Sequence, residues 1–297
     1  MEQLAPASIP VQPCHDPHLT PLERFWELRG AANCGTFGLR GYRPISLGAT
    51  VADGVNGTPT SPTAGHTGTT QAYTNNETRI QLSVRTKVAQ GLLTGGSDEL
   101  LDSVWFAYSQ QSYWQLFNSE LSRPFRATDH EPELIYILPL QAELPGGWRW
   151  AYAGVSANHQ SNGQSLPLSR SWNRVIAMAG FELGQRWTVN VRAWQRLPEA
   201  AEDDDNPDIV DKVGRGEVSV LWNASNDNSV GLTVRPVFGS GDAGSVRLTW
   251  WHRIGQSTNP RSSLRFHTEL FSGYGDSLVD YNHRRTALNF GLTLLDW

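Results

Sequence analysis

The sequence predicts an all-β fold: a twelve-stranded antiparallel transmembrane β-barrel with short turns at one rim and longer loops at the other. Three observations predict it. From Thr36 onward, segments alternate apolar and polar side chains with period two, the pattern of strands that divide two environments. The connections between them mostly alternate long and short. Aromatic residues gather near segment ends, as Trp148, Trp150, Trp172, Trp187, Trp222, Trp250 and Trp251 do, and the chain closes on Trp297.

Twelve segments follow this rule, near 36–50, 77–89, 102–116, 132–142, 148–160, 171–183, 186–197, 214–223, 228–238, 244–254, 262–272 and 285–297. The cleanest sets Trp187, Val189, Val191, Ala193 and Leu197 against Thr188, Asn190, Arg192, Trp194 and Arg196. An even strand number, strands of about ten residues and loops of unequal length are those of outer-membrane barrels. The polar rows carry too many charges for a dry core. They suit a lumen crossed by ion pairs among residues such as Arg174, Glu182, Arg192, Glu217 and Arg247. Alternation also allows a soluble sandwich, in which the apolar faces meet each other; the aromatic segment ends favour the membrane. Residues 1–35, rich in Pro, His and charge, read as a periplasmic arm with one short helical turn at Pro21–Trp26, and 36–297 as the barrel.

Composition limits the rest. At 297 residues and a net charge of −5, the chain has no basic surplus for nucleic acid. The longest apolar run, Leu134 to Leu140, is too short for a spanning helix. Cys14 and Cys34 lie outside the alternating segments, and both a disulfide and two free thiols remain open. The segment Met1 to Pro6 lacks the basic and apolar regions of a secretory leader, so an exported chain implies prior processing. The expected location is the bacterial outer membrane, as a multi-pass protein with its active site facing the outer leaflet. Loop 51–76, rich in Thr and Gly, is expected to be mobile.

The chemistry concentrates between Trp148 and Leu183. On the first strand Ala151, Ala153, Val155, Ala157, His159 and Ser161 share one face, and Trp150, Tyr152, Ser156, Asn158 and Gln160 the other. On the second, Asn173 shares parity with Val175, Ala177, Ala179 and Phe181. In a membrane barrel His159, Ser161 and Asn173 therefore face lipid, at the long-loop end. A serine nucleophile, a histidine base and an orienting amide placed there would meet lipid esters. An uncharged third member suits that setting, because an unpaired carboxylate in contact with lipid is expensive. His-x-Ser followed by Asn-Gly also reads as a plain polar turn. Gln110 shares an outward face with Val104, Phe106, Tyr108, Trp114 and Leu116, so its amide needs a partner and points to a second protomer. Asp203-Asp204-Asp205 reads as a solvated acidic patch or a divalent-ion site, and Met178 as lumenal packing.

Asn158-His159-Gln160-Ser161-Asn162-Gly163, Leu168-Ser169-Arg170-Ser171-Trp172-Asn173-Arg174, Asp204-Asp205-Asn206-Pro207-Asp208-Ile209 and Phe271-Ser272-Gly273-Tyr274-Gly275-Asp276-Ser277-Leu278 resemble bacterial outer-membrane phospholipase A. Ser112 to Leu116 and Arg123 to Arg126 extend the resemblance, which runs from about Pro21 to the end. It implies a calcium-dependent acyl hydrolase with A1, A2 and lysophospholipase activities, active as a homodimer. Ser161, His159 and Asn173 match the family's nucleophile, base and orienting residue. Calcium would be held by Ser169, the backbone carbonyl of Gln164 and Ser122 of a second copy. The Gly163 amide and a calcium-bound water would stabilise the oxyanion. The family usually carries a charged side chain where Gln164 stands, a mild departure if only the carbonyl is needed. A second, monomer-type calcium site uses acidic residues at the positions of Leu166 and Asp205, and Leu166 offers no ligand. The alternatives from other classes are a barrel with a structural or transport role and an inert His-Ser pair, and an adhesin acting through its loops. An open bore would mark a channel; crossing ion pairs would block one.

Overall fold

The alternating segments form the strands β1 (Ile45–Ala52), β2 (Asn76–Gln90), β3 (Ser103–Trp114), β4 (Ala127–Glu143), β5 (Arg149–Ser161) and β6 (Ser171–Leu183). They continue with β7 (Trp187–Arg196), β8 (Gly216–Asn223), β9 (Asn228–Pro236), β10 (Gly244–Arg253), β11 (Leu264–Gly273) and β12 (Arg285–Leu294). The computed structural model describes residues 14, 16, 18–63, 65–66, 70–95, 99–239, 243–255 and 264–295. Each strand pairs antiparallel with its successor, and β12 pairs with β1, so the sheet closes on itself. A thirteenth piece, Leu39–Gly41, lies beside β2 in line with β1, as the interrupted start of the same strand; the barrel is therefore twelve strands round. Trp297 lies outside the described residues, as do most of residues 1–17.

Side chains sort in the reverse of a soluble protein. Leu47, Phe106, Leu134, Val155, Val175 and Leu270 stand exposed on the outside, Leu134 at 52%. Arg79, Lys87, Glu133, Arg174 and Glu269 are buried inside. An apolar belt this continuous marks a lipid-facing surface. No helix among the described residues is long and apolar enough to cross a membrane. The multi-pass expectation is corrected accordingly. The strands form one closed ring whose backbone groups are satisfied only together, so the chain enters as a single barrel and not as a series of separate spans.

The aromatic ends divide by strand parity. Trp150 stacks on Phe181 at 5.8 Å and Trp187 on Trp222 at 5.5 Å, an outward girdle at the short-turn rim. Trp172, on the parity of Arg174, is buried, and the ring of Trp251 lies against Gly231 in the lumen, so neither belongs to the girdle. Trp150 was expected on the lumenal row. A register shift between Trp150 and Tyr152 adds one residue to β5, turning Trp150 outward and Ala151 inward. Beyond the bulge the expected parity returns: Val155, Ala157 and His159 are exposed, Ser156 and Asn158 buried.

The bore is filled at three levels. At the short-turn rim, helix α1 (Pro21–Trp26) starts on Pro21, the favoured first helical residue, and carries Trp26 against Trp105, Tyr42 and Tyr152. Arg149 ties this helix to the barrel through Glu23 and Glu182. Cys14 and Cys34 are joined as a disulfide, which settles that alternative and closes the arm into a loop. Midway, Arg174–Glu131, Arg192–Glu133 and Arg79–Glu269 cross the lumen, and Arg247 joins Glu269 from the neighbouring strand. At the long-loop rim, Ile209 of α2 (Ile209–Val213) packs with Leu278, Tyr281 and Trp194. Below that lid Arg126 bridges Glu77 and Asp280. In loop 51–76, where it is described, Thr60–Ser61 pairs with Gly65–His66, and the hydroxyls of Ser61 and Thr63 donate to the Asp205 and Asp204 carbonyls at 2.5 Å.

Candidate active site

The hairpin of β5 and β6 sets the site. His159 and Asn173 are register partners across it, and His159 Nδ1 lies 2.8 Å from Asn173 Oδ1. The amide oxygen accepts only, so Nδ1 carries the proton and Nε2 is left free to accept one. Ser161, two residues along β5, is on the same face, with Ser171 as its partner on β6. Among the contacts of the described residues there is no hydrogen bond from Ser161 to His159; such catalytic bonds often tighten only with substrate. The lumenal row beneath is rigid: Trp172 donates to Gln160 at 2.8 Å, and the Arg174 guanidinium lies 4.0 Å from the Trp172 ring centre.

The loop after Ser161 is shaped by Asn162. Its Nδ2 donates to the Leu168 carbonyl at 2.7 Å, and its Oδ1 accepts from the Arg170 and Gln164 amides at 3.0 and 3.3 Å. Gly163 then sits at φ 61°, a left-handed conformation that glycine enters freely. Asn206 holds the far side, accepting from the Ser171 amide at 3.0 Å. Neither asparagine was singled out from the sequence, although both lie in the quoted motifs.

Two further residues were missed. Asn173 Nδ2 donates to Glu199 Oε1 at 3.0 Å. Burial, followed by the nearby Asp204 and Asp205 carboxylates, pushes the Glu199 carboxyl above its ordinary range, against the pull of Arg196 and the Asn173 amide. Glu199 sits in a loop of Glu, Ala and Asp with no periodicity, so no local signal marks it. His130 is the partner of Ser161 on β4. The sequence placed that segment near 132–142; in the structure the strand starts at Ala127, with Pro132 within the ladder.

The residues expected to hold calcium are partly gathered. Ser169 Oγ donates to Asp205 Oδ2 at 2.5 Å, which puts two hard oxygen donors together beside the Gln164 loop. Leu166 is exposed and brings no oxygen. Among the described residues no three His, Cys, Asp or Glu side chains cluster as a cage. The donor set thus fits a calcium ion only with backbone, water and a second chain completing it. The Ser122 segment is fixed by Trp114, whose Nε1 donates to the Ser122 carbonyl at 2.7 Å. It faces the Gln164 loop across a cleft of about 500 Å³ that Leu121, Phe125, Gln164 and Leu168 help to line.

Gln110 faces outward as expected, but its amide is not left wanting. Tyr108 donates to its Oε1 at 3.1 Å, and its Nε2 donates to Ser112 at 3.2 Å. Residues two apart on one strand face satisfy each other here, so the outward amide finds its partners within its own strand.

Fold and surface together define an integral outer-membrane β-barrel with a filled bore and a polar, esterase-like cluster on its lipid face. Comparison with known proteins carries this to a family. The chain belongs to the phospholipase A1 family, whose profile matches residues 22–294. A Neisseria meningitidis protein assigned as a phospholipase A1 is 36% identical over 284 residues, 93% of this chain and 70% of that one. The structure of outer membrane phospholipase A from Escherichia coli superposes with a TM-score of 0.75 at 30% identity, covering 88% of this chain and 99% of that one. A Salmonella typhi outer membrane phospholipase, solved as a dimer with bound calcium, gives 0.74 at 28% identity, over 88% of this chain and 93% of that one. Membership places the chain among phospholipid ester hydrolases.

Proposed function

We propose that this chain hydrolyses phospholipid acyl esters in the outer leaflet through Ser161, His159 and Asn173, with A1, A2 and lysophospholipase activities. The observation that carries this reading is the 2.8 Å contact between His159 Nδ1 and Asn173 Oδ1 on an otherwise apolar outer face. In this reading residues 36–297 carry the catalytic barrel and 1–35 an arm at its periplasmic end, whose helix α1 enters the bore.

Ser161 Oγ attacks the ester carbonyl carbon while its proton passes to His159 Nε2. The amide of Asn173 keeps the imidazole in the right tautomer. The negative charge on the carbonyl oxygen is met by the Gly163 amide. The C–O bond to the glycerol oxygen then breaks, and His159 returns the proton to that leaving oxygen. Water, deprotonated by His159, attacks the acyl-serine; the fatty acid departs and Ser161 recovers its proton. Calcium would be held by Ser169, the Gln164 carbonyl and Ser122 of a second copy, and would supply positive charge that stabilises the oxyanion. That shared ligation makes the active form a homodimer, with Gln110 at its interface. The solved Salmonella typhi dimer supports both the metal and the pairing.

The test is fatty-acid release from phosphatidylethanolamine in detergent, with calcium or a chelator, for the wild type beside Ser161→Ala. Equal release by both proteins sinks the mechanism. Release that ignores the chelator keeps the nucleophile and removes the metal.

A further inference from the structure

An asparagine in the third position of a relay carries an ambiguity that an aspartate does not. Its carbamoyl group is nearly symmetric in shape, yet one end accepts and the other donates. With Oδ1 toward His159, Nδ1 holds the proton and Nε2 is a base. With the amide turned over, Nδ2 donates to Nδ1, the proton moves to Nε2, and Ser161 has no base. Something must choose between these orientations.

We infer that Glu199 is that element, a positioning residue that pins the Asn173 amide and lends it charge; this rests on the relay proposed above. Glu199 Oε1 accepts from Asn173 Nδ2 at 3.0 Å while Oδ1 meets His159 Nδ1 at 2.8 Å. An ionised carboxylate accepts only, so it excludes the turned-over amide. The Leu197 amide donates to the Asn173 backbone carbonyl at 2.8 Å, which delivers Glu199, two residues on, to the side chain. The other oxygen of Glu199 faces Arg196 at 3.6 Å, and Arg196 in turn pairs with Asp204 at 2.6 Å. Arg196 thus steadies the carboxylate and leaves Oε1 to the amide. The charge that the relay lacks at its third position is supplied one hydrogen bond further out, where the loop meets water. A carboxylate there stabilises the imidazolium through a polarised amide without facing lipid itself.

The test measures kcat and KM for fatty-acid release, with calcium, in the wild type, Ser161→Ala, Glu199→Gln, Asn173→Asp and the double variant Asn173→Asp/Glu199→Gln. Folding of each is checked by circular dichroism. Glu199→Gln is expected to lower kcat on the order of tenfold with KM little changed, far less than the loss from removing the nucleophile. Asn173→Asp alone sets two carboxylates against each other and is expected to be impaired at neutral pH. The double variant is expected to exceed both singles, because the new carboxylate needs no pin and now meets a donor. Unchanged kcat in Glu199→Gln, or losses that simply multiply in the double variant, would overturn the inference while leaving the relay standing. Equal release by wild type and Ser161→Ala would remove both.

Discussion

His130 on β4 and Ser161 on β5 are register partners, and both lie at the long-loop end of the outer face. A Cβ at Gly163 would be 3.9 Å from the His130 ring, and His130 Nδ1 lies 2.7 Å from the Tyr108 hydroxyl. Tyr108 reaches on to Gln110 at 3.1 Å. One chain of contacts therefore runs from the expected dimer face to the wall of the candidate active site. Tyr108→Phe cuts it in the middle. Activity is expected to fall roughly three- to tenfold, the equivalent of one neutral hydrogen bond, with the dimer fraction in sedimentation unchanged. Gln110→Ala is expected to lower both. A dimer fraction that drops in Tyr108→Phe would show that the tyrosine serves the interface instead.

Ser169 and Asp205 share one short contact, so each should be felt by the metal. Ser169→Ala and Asp205→Asn are expected to raise the calcium concentration for half-maximal activity by about tenfold or more, as loss of a ligand or its support does. Ser161→Ala should leave calcium affinity in place, measured by calcium-induced dimerisation. An unshifted calcium titration in both variants would move the site elsewhere.

Glu77 accepts from Arg126 at 2.5 Å and from Arg285 at 2.8 Å, with all three side chains buried in the barrel. Glu77→Ala leaves two buried guanidinium groups short of their counter-charge. The expected loss is about 3–5 kcal/mol, read from the urea midpoint of barrels refolded into vesicles. Arg235→Ala, whose partner Glu217 is more exposed to water, serves as the mild comparison.

Gly180 faces Tyr152 across the β5–β6 ladder, and a Cβ there would fall 2.0 Å from Tyr152 Cε1. The ring is held against Trp26 and cannot swing clear without breaking the plug. Gly180→Ala is expected to destabilise by about 1–3 kcal/mol in the same assay, the usual effect of overpacking. Activity per folded molecule should hold, since the relay lies at the other end of the hairpin.

Period two placed the strands and put His159, Ser161 and Asn173 on the apolar face, because parity along a strand is a local property; the unequal loops and aromatic segment ends were needed to favour a membrane barrel over a sandwich. It erred where a strand departs from strict alternation. The bulge at Ala151 reversed Trp150, and the segment placed near 132–142 left out the start of β4 and with it His130. It also misplaced Trp172 and Trp251, since a position near a strand end suggests a girdle while parity decides the face.

The linear chain thus determined the strand pattern and the chemical types at the proposed relay, since both are written in side-chain order and spacing. Tertiary structure decided what surrounds them: the Glu199 carboxylate on the Asn173 amide, His130 beside Ser161, Asp205 on Ser169, and a bore closed by α1 and the long-loop lid. The physical reason is separation along the chain. Glu199 lies 26 residues from Asn173 and Asp205 lies 36 from Ser169, in a loop without periodicity that the pairing of β7 with β6 carries back to the site. The Cys14–Cys34 bond belongs with these, since composition allowed it and only the folded arm joined the two sulfurs.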